Sequence, residues 1–142
     1  MSTKTCFVIM PFSDYGGIVE QEWTTIYDCL LKPAIEDCNL GYECKRSEIR
    51  NGAFTKDINL GLKHSKVVLA DITYFNPNVM WELGYAEAAD VPCVLLNQFV
   101  EKSPFDLSHI RQVPYRLAPT DEDEASLAAH IEAALDEQRS RE

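Results

Sequence analysis

The sequence has no long apolar run. Nothing in it approaches the roughly 20 consecutive apolar residues that cross a bilayer, so no membrane partner is expected. Basic residues are also scarce: 13 Lys and Arg stand against 23 Asp and Glu, for a net charge of −10. A protein that binds a nucleic-acid polymer needs clustered cations to meet the phosphates, and this composition argues against one. A small anion is still open, because backbone N–H groups at a helix start can hold a phosphate. No CxxC is present, and the five cysteines (Cys6, Cys29, Cys38, Cys44, Cys93) and three histidines (His64, His109, His130) share no metal-ligand spacing. Neither a metal nor another cofactor is expected. Cys6 and Cys93 lie in apolar runs, where Cys packs as a small hydrophobe, so reduced, buried thiols are expected. The opening MSTKT has no signal-peptide anatomy, which implies a cytoplasmic protein.

What the chain does have is room for one domain and one core: 142 residues, 46% apolar and 25% charged. The stretch from Val67 to Ala89 organises the rest. Val67 to Ala70 is apolar without alternation and ends on Asp71, as in a central parallel strand covered on both faces. A polar loop follows, from Thr73 to Asn76. Asn76 can then cap a helix whose first position is Pro77, where a missing N–H costs nothing. Within that helix Glu82 lies among Val79, Trp81, Leu83, Tyr85 and Ala86, which predicts a semi-buried carboxylate.

Elsewhere strands and helices alternate. Cys6 to Met10 reads as a strand leading into the loop Pro11 to Gly17, and Ile18 to Asp37 reads as a helix with a kink or break near Lys32, because Pro33 lacks an N–H. Tyr42 to Lys45 reads as an edge strand, and Arg46 to Thr55 as a loop. A short helix starts at Thr55 or Asp57 and runs to His64. Further strands are expected over Val91 to Leu96 and around Gln112 to Leu117, with a last helix from Ala125 to Leu135 behind the acidic DEDE run and a frayed tail. This βα alternation implies a single α/β domain: one doubly wound parallel sheet of about five strands, in the flavodoxin-like order 2-1-3-4-5, with helices on both faces. In that order the switch point falls between strands one and three. The loops Pro11 to Gly17 and Ile72 to Asn78 then face each other across one crevice, where such folds bind ligands.

The segment ADITYFNPNVMWELGYA, together with FVIMPF near the start, resembles the N-(deoxy)ribosyltransferase-like superfamily, which includes nucleoside 2-deoxyribosyltransferases, 2′-deoxynucleoside 5′-phosphate N-hydrolases and related TIR-like domains. The likeness spans roughly positions 5 to 97. It implies that Glu82 is the catalytic carboxylate that attacks the anomeric carbon. It also implies that Asp57 binds the sugar hydroxyl, that Asp71 is the acidic strand end, and that Phe12, Ser13, Asp14, Gly16 and Gly17 form the loop that holds base or phosphate. Asn76 stands where relatives carry an Asp or Ser near the sugar or its 5′-phosphate; Asn78 and Trp81 complete the expected binding set. A homo-oligomer is implied as well, because in relatives a neighbouring subunit completes the crevice, and the segment from Asn97 to Ile110 is the candidate interface.

The residue types suit that chemistry. Breaking an N-glycosidic bond builds an oxocarbenium-like centre that a carboxylate can stabilise or capture. The expected substrate is a nucleoside or nucleotide, cleaved by water or transferred to a second base. A TIR-like NAD glycohydrolase is the alternative, since nicotinamide leaves as a cation and needs no general acid. A nucleotide-binding module without turnover is the third reading. Tyr74, Phe75, Trp81 and Tyr85 can stack on a base or fill the core, as aromatics more often do. Arg46 and Arg50 can meet a phosphate or balance nearby acids, and His64 and His109 read as surface or capping residues.

Overall fold

The computed structural model describes residues 4–46, 61–99, 107, 109–116 and 120–139. Five strands, β1 (Lys4–Ile9), β2 (Tyr42–Arg46), β3 (Val67–Asp71), β4 (Cys93–Asn97) and β5 (Arg111–Pro114), form one sheet in the order β2-β1-β3-β4-β5. Every pairing is parallel. The fold is the doubly wound α/β architecture that the alternation implies, with β3 at its centre.

β3 earns that place by composition. All five of its residues are buried, and they alternate between two cores. Cys6, Val8, Val67 and Leu69 face one side, with Trp23, Leu31, Ile35, Ile131 and Leu135 packed over them. Phe7, Ile9, Val68 and Ala70 face the other, under Leu62, Val79, Leu83 and Ala86. Each Val, Leu or Ile side chain taken wholly out of water in these layers contributes on the order of 1.5–3 kcal/mol. The first layer is supplied by the N-terminal helix and by α4 (Asp121–Arg139), the second by α3 (Pro77–Ala88) and the helical residues 61–64.

The N-terminal helix does not break at Pro33. It runs as α1 (Glu20–Thr25), a π-helical turn (Ile26–Leu31) and α2 (Lys32–Glu36). Within it the Lys32 N–H donates to the Tyr27 carbonyl, five residues back. Pro33 offers no N–H to the turn before it, and its ring needs space there. The wider π turn provides that space and the helix continues.

Other boundaries also differ from the sequence reading. β1 begins two residues earlier than expected and β4 two later, while Arg46 closes β2 instead of opening a loop. α4 begins at Asp121, so the acidic run forms its first turn and does not precede it. Thr120 and Asp123 cap it reciprocally: the Asp123 N–H donates to Thr120 Oγ1 at 3.1 Å, and the Thr120 N–H to Asp123 Oδ2 at 3.0 Å. Gln138, expected in a frayed tail, is helical and buried. Among the described residues no helix is long and apolar enough to cross a membrane. Asp57, Arg50, most of the short helix expected before His64 and much of the expected interface segment lie outside the described residues.

Candidate functional site

Because β1 and β3 are neighbours, their C-terminal loops meet. The β1 loop folds back through a two-residue hairpin in which the Tyr15 N–H donates to the Ile18 carbonyl at 2.9 Å and the Ile18 N–H to the Tyr15 carbonyl at 3.0 Å. Gly16 and Gly17 take φ of 62° and 81°, the left-handed pair that such a turn needs. From this hairpin the Tyr15 hydroxyl donates to the Tyr74 carbonyl at 3.0 Å. Gly16 lies so close to Tyr74 that a Cβ there would come within 2.9 Å of ring atom Cγ. The two loops expected to share a crevice are therefore in contact.

Arg46 secures the base of the β1 loop. Its guanidinium donates to the Pro11 carbonyl at 2.9 Å and to Thr24 Oγ1 at 3.1 Å, and it lies 4.6 Å from the Phe12 ring centroid. Here Arg46 holds the chain between β1 and α1. Asp14 accepts the Glu20 N–H at 2.7 Å on Oδ1, which anchors the start of α1. Ser13, Asp14, Gly16 and Gly17 are exposed, and Phe12 is half-buried beneath Arg46.

The β3 end is built around Asp71, which is fully buried. Its Oδ1 accepts the Thr73 N–H at 3.1 Å, and its Oδ2 accepts a short hydrogen bond from the Tyr115 hydroxyl. Gln98 closes the circuit: its backbone N–H donates to Thr73 Oγ1 at 3.1 Å, and its side-chain Nε2 to the Tyr115 hydroxyl at 3.1 Å. Burial raises the Asp71 carboxyl above the ordinary aspartate range, and the Tyr115 and Thr73 donors offset part of that rise. Burial and the adjacent Asp71 likewise push the Tyr115 phenol well up. Asp71 thus ties together the ends of β3, β4 and β5.

Beyond Thr73 the backbone is unusual. Tyr74 and Phe75 both have positive φ, 62° and 51°, which costs about 1–3 kcal/mol each in a residue with a side chain. The turn is held by the Phe75 N–H, which donates to the Ile72 carbonyl at 2.8 Å. Phe75 packs against the second core, whereas Tyr74 stays 44% exposed. Asn76 then caps α3 as its sequence implies, its Oδ1 accepting the N–H groups of Asn78 at 2.9 Å and Val79 at 3.2 Å. Asn78 itself is exposed.

On α3, Glu82 is 2% exposed, on the side that buries Val79, Leu83 and Ala86. It is more deeply placed than the semi-buried position its neighbours suggest. Trp81, next to it, is 55% exposed and stacks on Tyr85 with centroids 6.3 Å apart. The structure thus assembles the expected β1 and β3 loops and sets Glu82 on the helix that follows. It places Trp81 on the outer surface of that helix.

The sequence matches no protein-family model and no curated protein. Among the described residues, no group of three or more His, Cys, Asp and Glu side chains has the geometry of a metal site. Three members of the site were not singled out from the sequence: Thr73 as an acceptor, Gln98 and Tyr115. Only their convergence on one strand end marks them. The Gln at a strand exit and the lone Tyr in VPYRL carry no local signal.

Proposed function

We propose that this protein cleaves the N-glycosidic bond of a nucleoside or nucleotide, with Glu82 as nucleophile or as ion-pair stabiliser. The observation that carries the reading is the burial of Glu82. Glu82 is 2% exposed, on the face of α3 that buries Val79, Leu83 and Ala86, and holding a carboxylate at such a position costs more than leaving it in water. A rigid carboxylate in low dielectric is what a developing oxocarbenium centre requires. The position of Glu82 in the WELGYA stretch, behind a strand that ends in Asp71, supports the same reading through the superfamily resemblance. Water accepts the sugar in a hydrolase, and a second base in a transferase.

One observation favours a second reading, a TIR-like NAD glycohydrolase. A neutral base needs a proton to leave. Of the described carboxylates near the two loops, Asp71 accepts from Tyr115 and Thr73, and Asp14 accepts from the Glu20 N–H. Nicotinamide, already cationic in NAD, leaves without such an acid.

Incubating the purified chain with nucleosides, nucleotides and NAD, and separating released bases chromatographically, tests both readings and tells them apart. Glu82→Gln keeps shape and removes charge. It should lower the rate by on the order of 10² to 10³ or more while leaving the melting temperature equal or higher. A structural Glu82 gives the reverse, with activity kept and melting lowered. Near-normal turnover in Glu82→Gln would sink the assignment.

A further inference from the structure

Tyr74 combines an unfavourable backbone with an exposed ring. Its neighbour Phe75 shares the positive φ, but its ring packs against the core, so burial offsets the strain. Tyr74 is less covered: the residue is 44% exposed. Yet the residue is held in place from three sides. Its carbonyl accepts from the Tyr15 hydroxyl at 3.0 Å, its ring crosses Gly16 where a Cβ would collide, and the Phe99 ring lies 5.2 Å away, tilted by 43°. The Thr73 hydroxyl just before it is fastened to the Gln98 N–H at 3.1 Å.

We infer that the Tyr74 ring is the platform on which the base of the substrate stacks. The inference rests on the nucleotide reading above and makes it more specific. A strained backbone that leaves an aromatic ring part-exposed at a strand-end loop recovers only part of its cost from the Gly16 and Phe99 contacts, and strain of this kind collects at ligand sites. The ring lies against Gly16 of the β1 hairpin and beside Phe99, on the same strand–turn–helix unit as Glu82. Because Gly16 and Phe99 fix its orientation beforehand, little side-chain freedom is lost when a flat ligand settles on it. Stacking tolerates any π-face, so the platform accepts a purine, a pyrimidine or a nicotinamide. Base selectivity then has to come from other residues.

The test is calorimetric titration in the Glu82→Gln background, where bound substrate is not consumed, with AMP, NAD and ribose 5-phosphate as probes. Tyr74→Ala should weaken AMP and NAD by about 10- to 100-fold and leave ribose 5-phosphate, which has no base, unchanged. Tyr74→Phe should bind as the parent does. Tyr74→Gly, which relieves the positive φ, should lose the base as Tyr74→Ala does while melting at or above the parent temperature. If Tyr74→Ala binds AMP and NAD as tightly as the parent, or loses ribose 5-phosphate to the same extent, the inference is overturned while the nucleotide reading stands. If the parent binds none of the three probes, the nucleotide reading falls and takes this inference with it.

Discussion

The Tyr115 hydroxyl, just past β5, donates to the carboxylate of Asp71 at the end of β3, across the exit of the strand between them. Forty-four positions of sequence separate the two residues, and the bond joins both ends of one half of the sheet.

Removing that donor should be felt as lost stability. Tyr115→Phe leaves a buried acceptor short of a partner, at a cost of about 1–3 kcal/mol. Urea midpoints measure it. Combined with Asp71→Asn, the loss should be smaller than the sum of the single losses, because the two residues share one interaction. Additive losses would show that the pair is not coupled.

Asp71 should also give the protein a pH dependence of known sign. Its folded-state pKa is raised by burial, so between the unfolded value, near 3.9, and the higher folded value the native state holds the extra proton. Stability from this group is therefore complete below the unfolded pKa and is lost as pH rises through the folded one. Asp71→Asn has no such titration. The stability of the parent relative to Asp71→Asn should fall between acidic and neutral pH, and denaturant melts at the two pH values read it directly.

Much of this site could be read from the chain alone, and the parts that could not share one physical cause. Val67 to Asp71 declares a central strand because a run apolar on both faces has nowhere else to go. Asn76 followed by Pro77 declares a helix start because capping chemistry is local. Tyr115 and Gln98 declare nothing, since their role arises only when three strand ends are set side by side. Asp14 has a structural role that its glycine-rich loop does not announce: it accepts the first N–H of α1. The acidic residues 121–124 have the sequence of a cap ahead of the last helix; they form its first turn and stabilise it from within.

The cysteines make a further test. All five are free; Cys6 and Cys93 are buried as their apolar runs imply, Cys38 and Cys44 are buried too, and Cys29 is exposed. Burial pushes Cys44 up to about 11 and Cys93 up to about 12, and raises Cys6 as well. Near neutral pH a thiol reagent should label one cysteine quickly in the native protein and all five in denaturant. Peptide mapping should place the fast label on Cys29; rapid labelling of Cys44 or Cys93 would contradict the packing of the β-strands.

Asn76 offers a separation of cap from chemistry. Asn76→Ala should cost about 1 kcal/mol, because two N–H groups at the start of α3 lose their acceptor. Asn76→Asp keeps an acceptor and adds charge at the favourable end of the helix, so stability should hold or rise slightly. Thermal melts of the two variants decide it. Equal losses in both would mean that the amide nitrogen, not the oxygen, is what α3 needs.

Trp23, Tyr27, Leu31 and Ile35 are spaced four apart, and all are buried. A straight α-helix overshoots by about 40° in each step of four residues, which would leave the last about 120° from the first. The π turn between Ile26 and Leu31 takes up this excess, so the helix carries one residue more than a regular helix of its length would hold. Removing a single residue within 26–31 would restore regular winding and leave Trp23 and Ile35 facing the sheet together. The same deletion in a regular turn, with the π turn kept, would rotate everything before it by about 100° relative to everything after it and swing Trp23 off the sheet.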